Sequence, residues 1–387
     1  MKSRLALCTV FAALASAGFV IFLKFPSAPF RFFALTKHFF ASLAAFLRSP
    51  GPYPPPSPAV EAAMRAALKS AFGLTSGVYG SYCMACPQGD AIGALVRLAF
   101  HDSAGGGGAW KAGGPNGCID DLEAANKGLV EVRAQLDAVR SPAYEDVVSR
   151  ADFFNLAAVV AREMGSTVST ASAVIESGLP VPRAPLRLPW RTGRIDDETC
   201  AGLDAGRLPS AAGTWAQTAA RFIAFGMSAT EVVAILGAHS LGRCQAVNSG
   251  FEGGWTQHQS SFSNEYFRLY VSAPWTQAAA GSDVWIGAGT AGGGPAAEII
   301  MLRSDIQLGL ETKNAAGDDS CQRIDVAHDD GAVPPSVCPH SAVYERVLVY
   351  AADMDVWLED YAKAWPKMTE FGYSFNGTSL VPMAPPA

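Results

Sequence analysis

Glu231-Val-Val-Ala-Ile-Leu-Gly-Ala-His239-Ser-Leu-Gly-Arg-Cys244 is the stretch that decides how this chain is read. Val232, Val233, Ile235 and Leu236 form an apolar helical run, Ser228-Ala-Thr-Glu231 ahead of it has the pattern of a capping box, and the run ends on one histidine. His239 is therefore carried on a rigid element in apolar surroundings. Two readings suit such a residue: a hydrogen-bonded core histidine, or a neutral imidazole that holds haem iron from one side. The segment alone leaves both open, and a second histidine on another helix shifts the balance.

That second histidine lies in Ala91-Ile-Gly-Ala-Leu-Val-Arg97-Leu-Ala-Phe100-His101-Asp102-Ser103, an apolar run closed by glycines. Arg97 and His101 are four residues apart, so a helix places them on one face, one turn from each other. An arginine among Ile92, Leu95, Val96, Leu98 and Phe100 bears a desolvation cost unless something anionic or strongly dipolar faces it. A surface arginine above a capping histidine would not be embedded in such a run. Further on, Ile299-Ile-Met-Leu-Arg-Ser-Asp305-Ile-Gln-Leu308 sets one acid in an apolar surround, where it serves either as a cap or as the partner of a buried histidine.

Around these segments the spacing predicts helices over 60–72, from Asp120 to about Arg140 with Asn126 inside it, from Ser149 to Met164, over 211–226, from about Phe262, and from Tyr344 to Met368. Residues 165–189, rich in Ser, Thr and Pro, read as an irregular insertion. No strand-rich region is present, although Val284-Trp-Ile286 has the composition to pair locally, so the fold class is mostly α.

Residues 1–60 hold six of the 29 Lys and Arg and none of the 35 Asp and Glu, which leaves 23 against 35, a net of −12, for the rest. That balance excludes a basic nucleic-acid surface. Residues 1–50 read as an N-terminal targeting or anchor segment. The apolar run from Leu5 to Leu23 is long enough to anchor in a membrane, while Ala15-Ser-Ala17 offers a signal-peptide cleavage site instead. Residues 24–49, with Lys, Arg, Phe, Ser and Ala and no acid, have the composition of an organelle transit peptide. A signal followed by such a segment resembles the two-part presequences of algae with complex plastids; membrane anchoring and secretion are the alternatives. The Pro-rich stretch 51–59 reads as a stiff linker, 60–375 as the folded domain and 376–387 as a tail. Seven cysteines follow Cys8, so a monomer retains at least one free thiol; Cys83–Cys86 and Cys321–Cys338 are the pairings suggested by proximity.

Taken together, these stretches resemble the plant, fungal and bacterial haem peroxidase superfamily, and most closely its branch of cytochrome c and ascorbate peroxidases. Leu95-Val-Arg-Leu-Ala-Phe-His101 is similar to the distal helix, Ala125-Asn-Lys-Gly-Leu129 to the distal asparagine segment, and Leu236-Gly-Ala-His-Ser-Leu-Gly-Arg243 to the proximal helix. Ser249-Gly-Phe-Glu-Gly-Gly-Trp255 resembles the segment that sets a tryptophan under the haem, and Met301-Leu-Arg-Ser-Asp305 the proximal aspartate. The resemblance implies a two-lobed helical fold with haem b between distal and proximal halves, and a peroxidase acting in hydrogen peroxide detoxification under oxidative stress. It implies that His239 is the axial ligand of the haem iron, with Asp305 accepting its other ring proton. It gives His101 the acid–base role, oriented by Asn126, and Arg97 the stabilisation of charge as the O–O bond breaks. Phe100 would border the cofactor, and Trp255 would carry an oxidising equivalent.

Three departures refine the expectation. Phe100 stands where the intracellular branch usually has tryptophan, so strong catalase activity is not expected. Gly89 and Asn248 match the positions of the ascorbate-binding lysine and arginine, which weighs against ascorbate at that haem edge. Asn116, Cys118, Thr256, His258 and Ser263 lack the carboxylates of the family's cation sites, so firm calcium or potassium binding is not expected. The expected electron donor is a cytochrome c-like protein or a small phenolic; an ascorbate peroxidase with a different ascorbate surface, or a non-catalytic haem-binding redox sensor, are the competing readings.

Overall fold

Ser57 caps the first described helix, α1 (Pro58–Ala71), with Pro58 in the first turn, where its missing N–H leaves no bond unmade. The helix thus starts two residues earlier than its apolar stripe predicts. The computed structural model describes residues 53–74, 87–105, 114–141, 143–168, 182–184, 186–197, 199–200, 206–279, 281–287, 299–312, 323–324 and 338–383. The apolar run 5–23 lies outside these; among the described residues no helix is long and apolar enough to cross a membrane.

Among the described residues, four helices make the first half: α1, α2 (Pro87–Gly105), α3 (Val130–Arg140) and α4 (Arg150–Val168). α2 and α4 pack against each other, and Leu95, Leu98 and Ala99 of the first and Phe153, Leu156 and Val160 of the second are buried. The second half comprises α5 (Trp215–Ile223), α6 (Ala229–Leu236), α7 (Glu265–Ser272), α8 (Tyr344–Ala352) and α9 (Met354–Thr369). α9 lies on α6 and also reaches α2, and the indole of Trp357 donates to Ala234 O at 2.9 Å. A small antiparallel sheet joins Ile300–Leu302, Val284–Gly287, Trp275–Gln277 and Arg323–Ile324 in that order, with Trp275 and Trp285 fully buried. The architecture is mostly α, as the apolar periodicity predicts.

The halves touch at two glycines. A Cβ on Gly93 of α2 would lie 2.8 Å from the Gly242 Cα, and Gly242 itself has φ +72°, so both positions need glycine for the backbones to approach this closely.

Four expectations are revised. Residues 120–140 are not one helix: Ala124–Asn126 is a single 3-10 turn, Gly128 reverses the chain at φ +80°, and α3 starts only at Val130. The closing helix breaks at Asp353, whose carboxylate caps α9 by accepting from the N–H groups of Asp355 and Val356. The packed chain also runs past residue 375, since Leu380–Pro382 pairs with Tyr373–Phe375 and buries Leu380 completely. α4 extends to Val168, and residues 169–181 of the expected insertion lie outside the described residues.

Candidate active site

α2 supplies one wall of the site. The buried His101 donates from Nδ1 to Asn126 Oδ1 at 2.7 Å, and Asn126 Nδ2 donates in turn to Asp120 O at 2.9 Å, which fixes the amide and hence the imidazole tautomer. Nε2 keeps its lone pair. Burial, then the charge of Arg97, push the His101 imidazole down to about 3 against the opposing pull of the Asn126 hydrogen bond, so it is neutral at ordinary pH. Arg97, one turn back, donates to Lys127 O at 2.9 Å and Ala125 O at 2.6 Å, the carbonyls flanking Asn126. Those dipoles are what the embedded arginine requires, and they tie the asparagine turn to the histidine helix. Phe100 meets His101 edge-on, ring centroids 5.4 Å apart, and stacks on Phe222.

α6 supplies the other wall. Ser228 and Glu231 form the capping box predicted for its start, and a 3-10 turn, Gly237–Ser240, carries His239 beyond its end. His239 Nδ1 donates to Asp305 Oδ1 at 2.7 Å. Asp305 is both a cap and a histidine partner: its Oδ2 accepts the Leu302 N–H at 2.9 Å, while Oδ1 also accepts the Tyr266 hydroxyl at 2.8 Å. The indole of Trp255 lies parallel to the His239 ring, centroids 4.1 Å apart and planes 3° from coincidence. Its loop is held by the Thr256 hydroxyl, which donates to Ser240 O at 3.0 Å.

Both walls border one cavity of about 680 Å³, within the size range of cofactor pockets. Arg97, Phe100 and His101 line one side; His239, Trp255 and Leu241 line the other. The His239 side chain is 34% exposed, and since Nδ1 is committed to Asp305, it turns an unused Nε2 lone pair toward this space. An apolar cavity with one free imidazole nitrogen on one wall and a neutral, Asn126-bonded histidine on the other suits a flat metallocycle bound through its iron.

Residues 64–316 match the peroxidase family. The chain belongs to the haem peroxidase family. It is 32% identical to the "Putative heme-binding peroxidase" of Pyricularia oryzae, over 74% of this chain and 81% of that one. It is similar, at 29% identity over 72% of this chain and 61% of the other, to the mitochondrial cytochrome c peroxidase of Cryptococcus neoformans var. grubii. A Yarrowia lipolytica protein also named mitochondrial cytochrome c peroxidase is 28% identical over 74% and 70%. This protein is thus a haem-dependent peroxidase.

Several features of the peroxidase site were not foreseen. No hydrogen bond joins the Trp255 indole to Asp305; the oxygens of Asp305 are taken by His239, Tyr266 and Leu302. Cys118 pairs with Cys200, 82 residues away, a pairing that proximity in sequence does not suggest; Cys338 is disulfide-bonded and a free thiol remains, as expected, and that thiol is the buried Cys244 lining the cavity. Cys83, Cys86 and Cys321 lie outside the described residues. Arg243 bridges Asp90 of α2 at 3.1 Å and Glu252 of the Trp255 loop at 2.8 Å, joining the two walls at the cavity rim. Near the expected proximal cation position, Glu265 does supply a carboxylate, but the His258 imidazole and the N–H groups of Gln257 and His258 occupy it.

Proposed function

We propose that the protein reduces hydrogen peroxide to water with electrons taken one at a time from a cytochrome c-like protein, as part of peroxide detoxification under oxidative stress. The observation that carries this reading is the facing of two oriented histidines across one cavity, His101 on Asn126 and His239 on Asp305, each at 2.7 Å. A non-catalytic haem binder requires only His239.

Haem b is the cofactor that suits the cavity; His239 Nε2 would hold its iron, and the bound iron supplies the redox centre at which peroxide is activated. Asp305, by accepting the Nδ1 proton, makes His239 a more electron-rich ligand. Neutral His101 takes one proton from hydrogen peroxide at Nε2 and returns it to the departing oxygen, which leaves as one water; two electrons from the donor and two protons from solvent complete the conversion of one peroxide to two waters. Arg97 sits one turn away, where its guanidinium opposes negative charge as the O–O bond lengthens. Asn126 keeps the imidazole in the tautomer this transfer needs.

The donor reading rests on Trp255, whose ring is stacked on the ligand histidine, on the excess negative charge beyond residue 60, which steers cationic partners, and on the relatives named cytochrome c peroxidase. Gly89 and Asn248 leave the ascorbate-type rim without a cation, and Arg243 nearby is spent on Asp90 and Glu252. Residues 1–50 act as an organelle presequence joined by the 51–59 linker. Steady-state rates of the haem-loaded enzyme with reduced cytochrome c, ascorbate and a phenol test the reading: the highest kcat/KM is expected with cytochrome c, and a preference for the phenol would move the donor to the cavity mouth.

A further inference from the structure

Trp255 is not the only oxidisable ring at the cavity. Tyr361 and Trp365 of α9 also line it, fully buried, with near-parallel rings 6.3 Å apart, and Tyr361 continues to Trp357 at 6.0 Å. These rings lead into the core, where a lost electron is replaced by damage and not by a donor.

A charge separates the two sets. Arg162 of α4, fully buried, holds its guanidinium carbon 3.4 Å from the centroid of the Trp365 ring and 5.6 Å from that of Tyr361, and its Nη1 donates to the Tyr361 hydroxyl at 2.7 Å. Its Nε and Nη2 are buried with no hydrogen-bond partner among the described residues. Such an arginine is a poor device for stability, since an apolar side chain of similar volume would fill the space without the desolvation cost.

We infer that Arg162 shields Tyr361 and Trp365 from oxidation and so leaves Trp255 as the ring that gives up an electron. This rests on the peroxidase reading. Hydrogen peroxide is the oxidant: its reduction to two waters takes two protons, drawn from solvent, and two electrons; bound haem would supply one electron and an aromatic ring the other, and the ring is left with a positive charge until a donor refills it. Beside a buried guanidinium that new charge is repelled, and the attraction between the cation and the electron-rich face of Trp365 is lost with the electron. Tyr361 would have to release its phenolic proton to become a neutral radical, yet its oxygen accepts from Arg162, and no acceptor for its own proton is present among the described residues. Trp255 has the opposite neighbour: it lies on His239, which is hydrogen-bonded to the Asp305 carboxylate, and a positive hole there is attracted.

The test is electron paramagnetic resonance of the haem-loaded protein, freeze-quenched after mixing with hydrogen peroxide without donor, together with mass spectrometry of oxygen adducts. In the parent, the protein radical is expected to vanish with Trp255→Phe and to be untouched by Tyr361→Phe or Trp365→Phe. Arg162→Met should add a signal that Tyr361→Phe or Trp365→Phe removes, with oxygen adducts at those residues increased several-fold, and Arg162→Lys should restore the parent pattern. An Arg162→Met protein with the parent's radical and unmodified Tyr361 and Trp365 overturns the inference. Should Arg162→Met not fold, Trp255→Phe with Arg162 intact decides: adducts on Tyr361 or Trp365 overturn the inference, and their absence supports it. A parent protein that gives no spectral response to peroxide would instead overturn the peroxidase reading itself.

Discussion

The Tyr266 hydroxyl and His239 Nδ1 share one oxygen of Asp305, at 2.8 and 2.7 Å. Two donors on the same atom compete, so the phenol withdraws some of the electron density that the carboxylate would otherwise lend to the imidazole. Removing it with Tyr266→Phe should make His239 the more electron-rich ligand and lower the iron midpoint potential, whereas Asp305→Asn should raise it with haem still bound. Each shift is expected to be on the order of tens of millivolts, a fraction of the ~1.5–3 kcal/mol of a hydrogen bond to a charged group. A redox titration in which both variants move in the same direction would contradict the competition.

Trp255→Phe keeps a ring on His239 but raises the cost of removing an electron from it. Oxidation of reduced cytochrome c should fall by about tenfold or more, a barrier increase of ~1.4 kcal/mol, while the reaction of the variant with peroxide and its oxidation of a small phenol stay near parental rates. Equal rates with both donors would make Trp255 a packing residue.

Asp102, next to His101, is fully buried, and burial pushes its carboxyl up to about 7 in spite of the N–H groups it accepts from the 116–118 backbone. The native state therefore keeps a proton that the unfolded chain, with a carboxyl near 3.8, has already released, so this group's contribution to stability falls as pH rises across that window and is level above it. Asp102→Asn cannot ionise. Its melting temperature relative to the parent should rise by a few degrees or so between pH 5 and pH 8; parallel melting curves across that range would refute the assignment.

The close approach of Gly93 to Gly242 sets the distance between the walls. Gly93→Ala should cost about 1–3 kcal/mol of stability through overpacking and weaken haem retention, because the two backbones have no side chain that can yield. Thermal melting and haem transfer to apomyoglobin read the two effects, and unchanged values in both would show that the gap is adjustable.

Much of this site was legible because its pieces are local. Arg97 and His101 are one helical turn apart, and the capping box at Ser228 announces the helix that ends at His239, so sequence spacing alone places these side chains. Asn126 was found in the right segment but on the wrong element, since the left-handed turn at Gly128 ends the helical pattern that its neighbours suggest. Tyr266, Arg162 and the Cys118–Cys200 pair were not legible. Each acts on a residue tens to hundreds of positions away, Asp305, Tyr361 and each other, and no periodicity within a segment reports which distant segment it will face.

The most direct measurement is stopped-flow mixing of the haem-loaded His101→Leu protein with hydrogen peroxide, followed at the Soret band. With His239 and Asp305 intact the variant should retain haem, and loss of the acid–base group should slow the spectral change by at least ~10²- to 10⁴-fold relative to the parent. A variant that binds haem and reacts at the parental rate would contradict the role of His101 and, with it, the reading of this cavity as a peroxidase site.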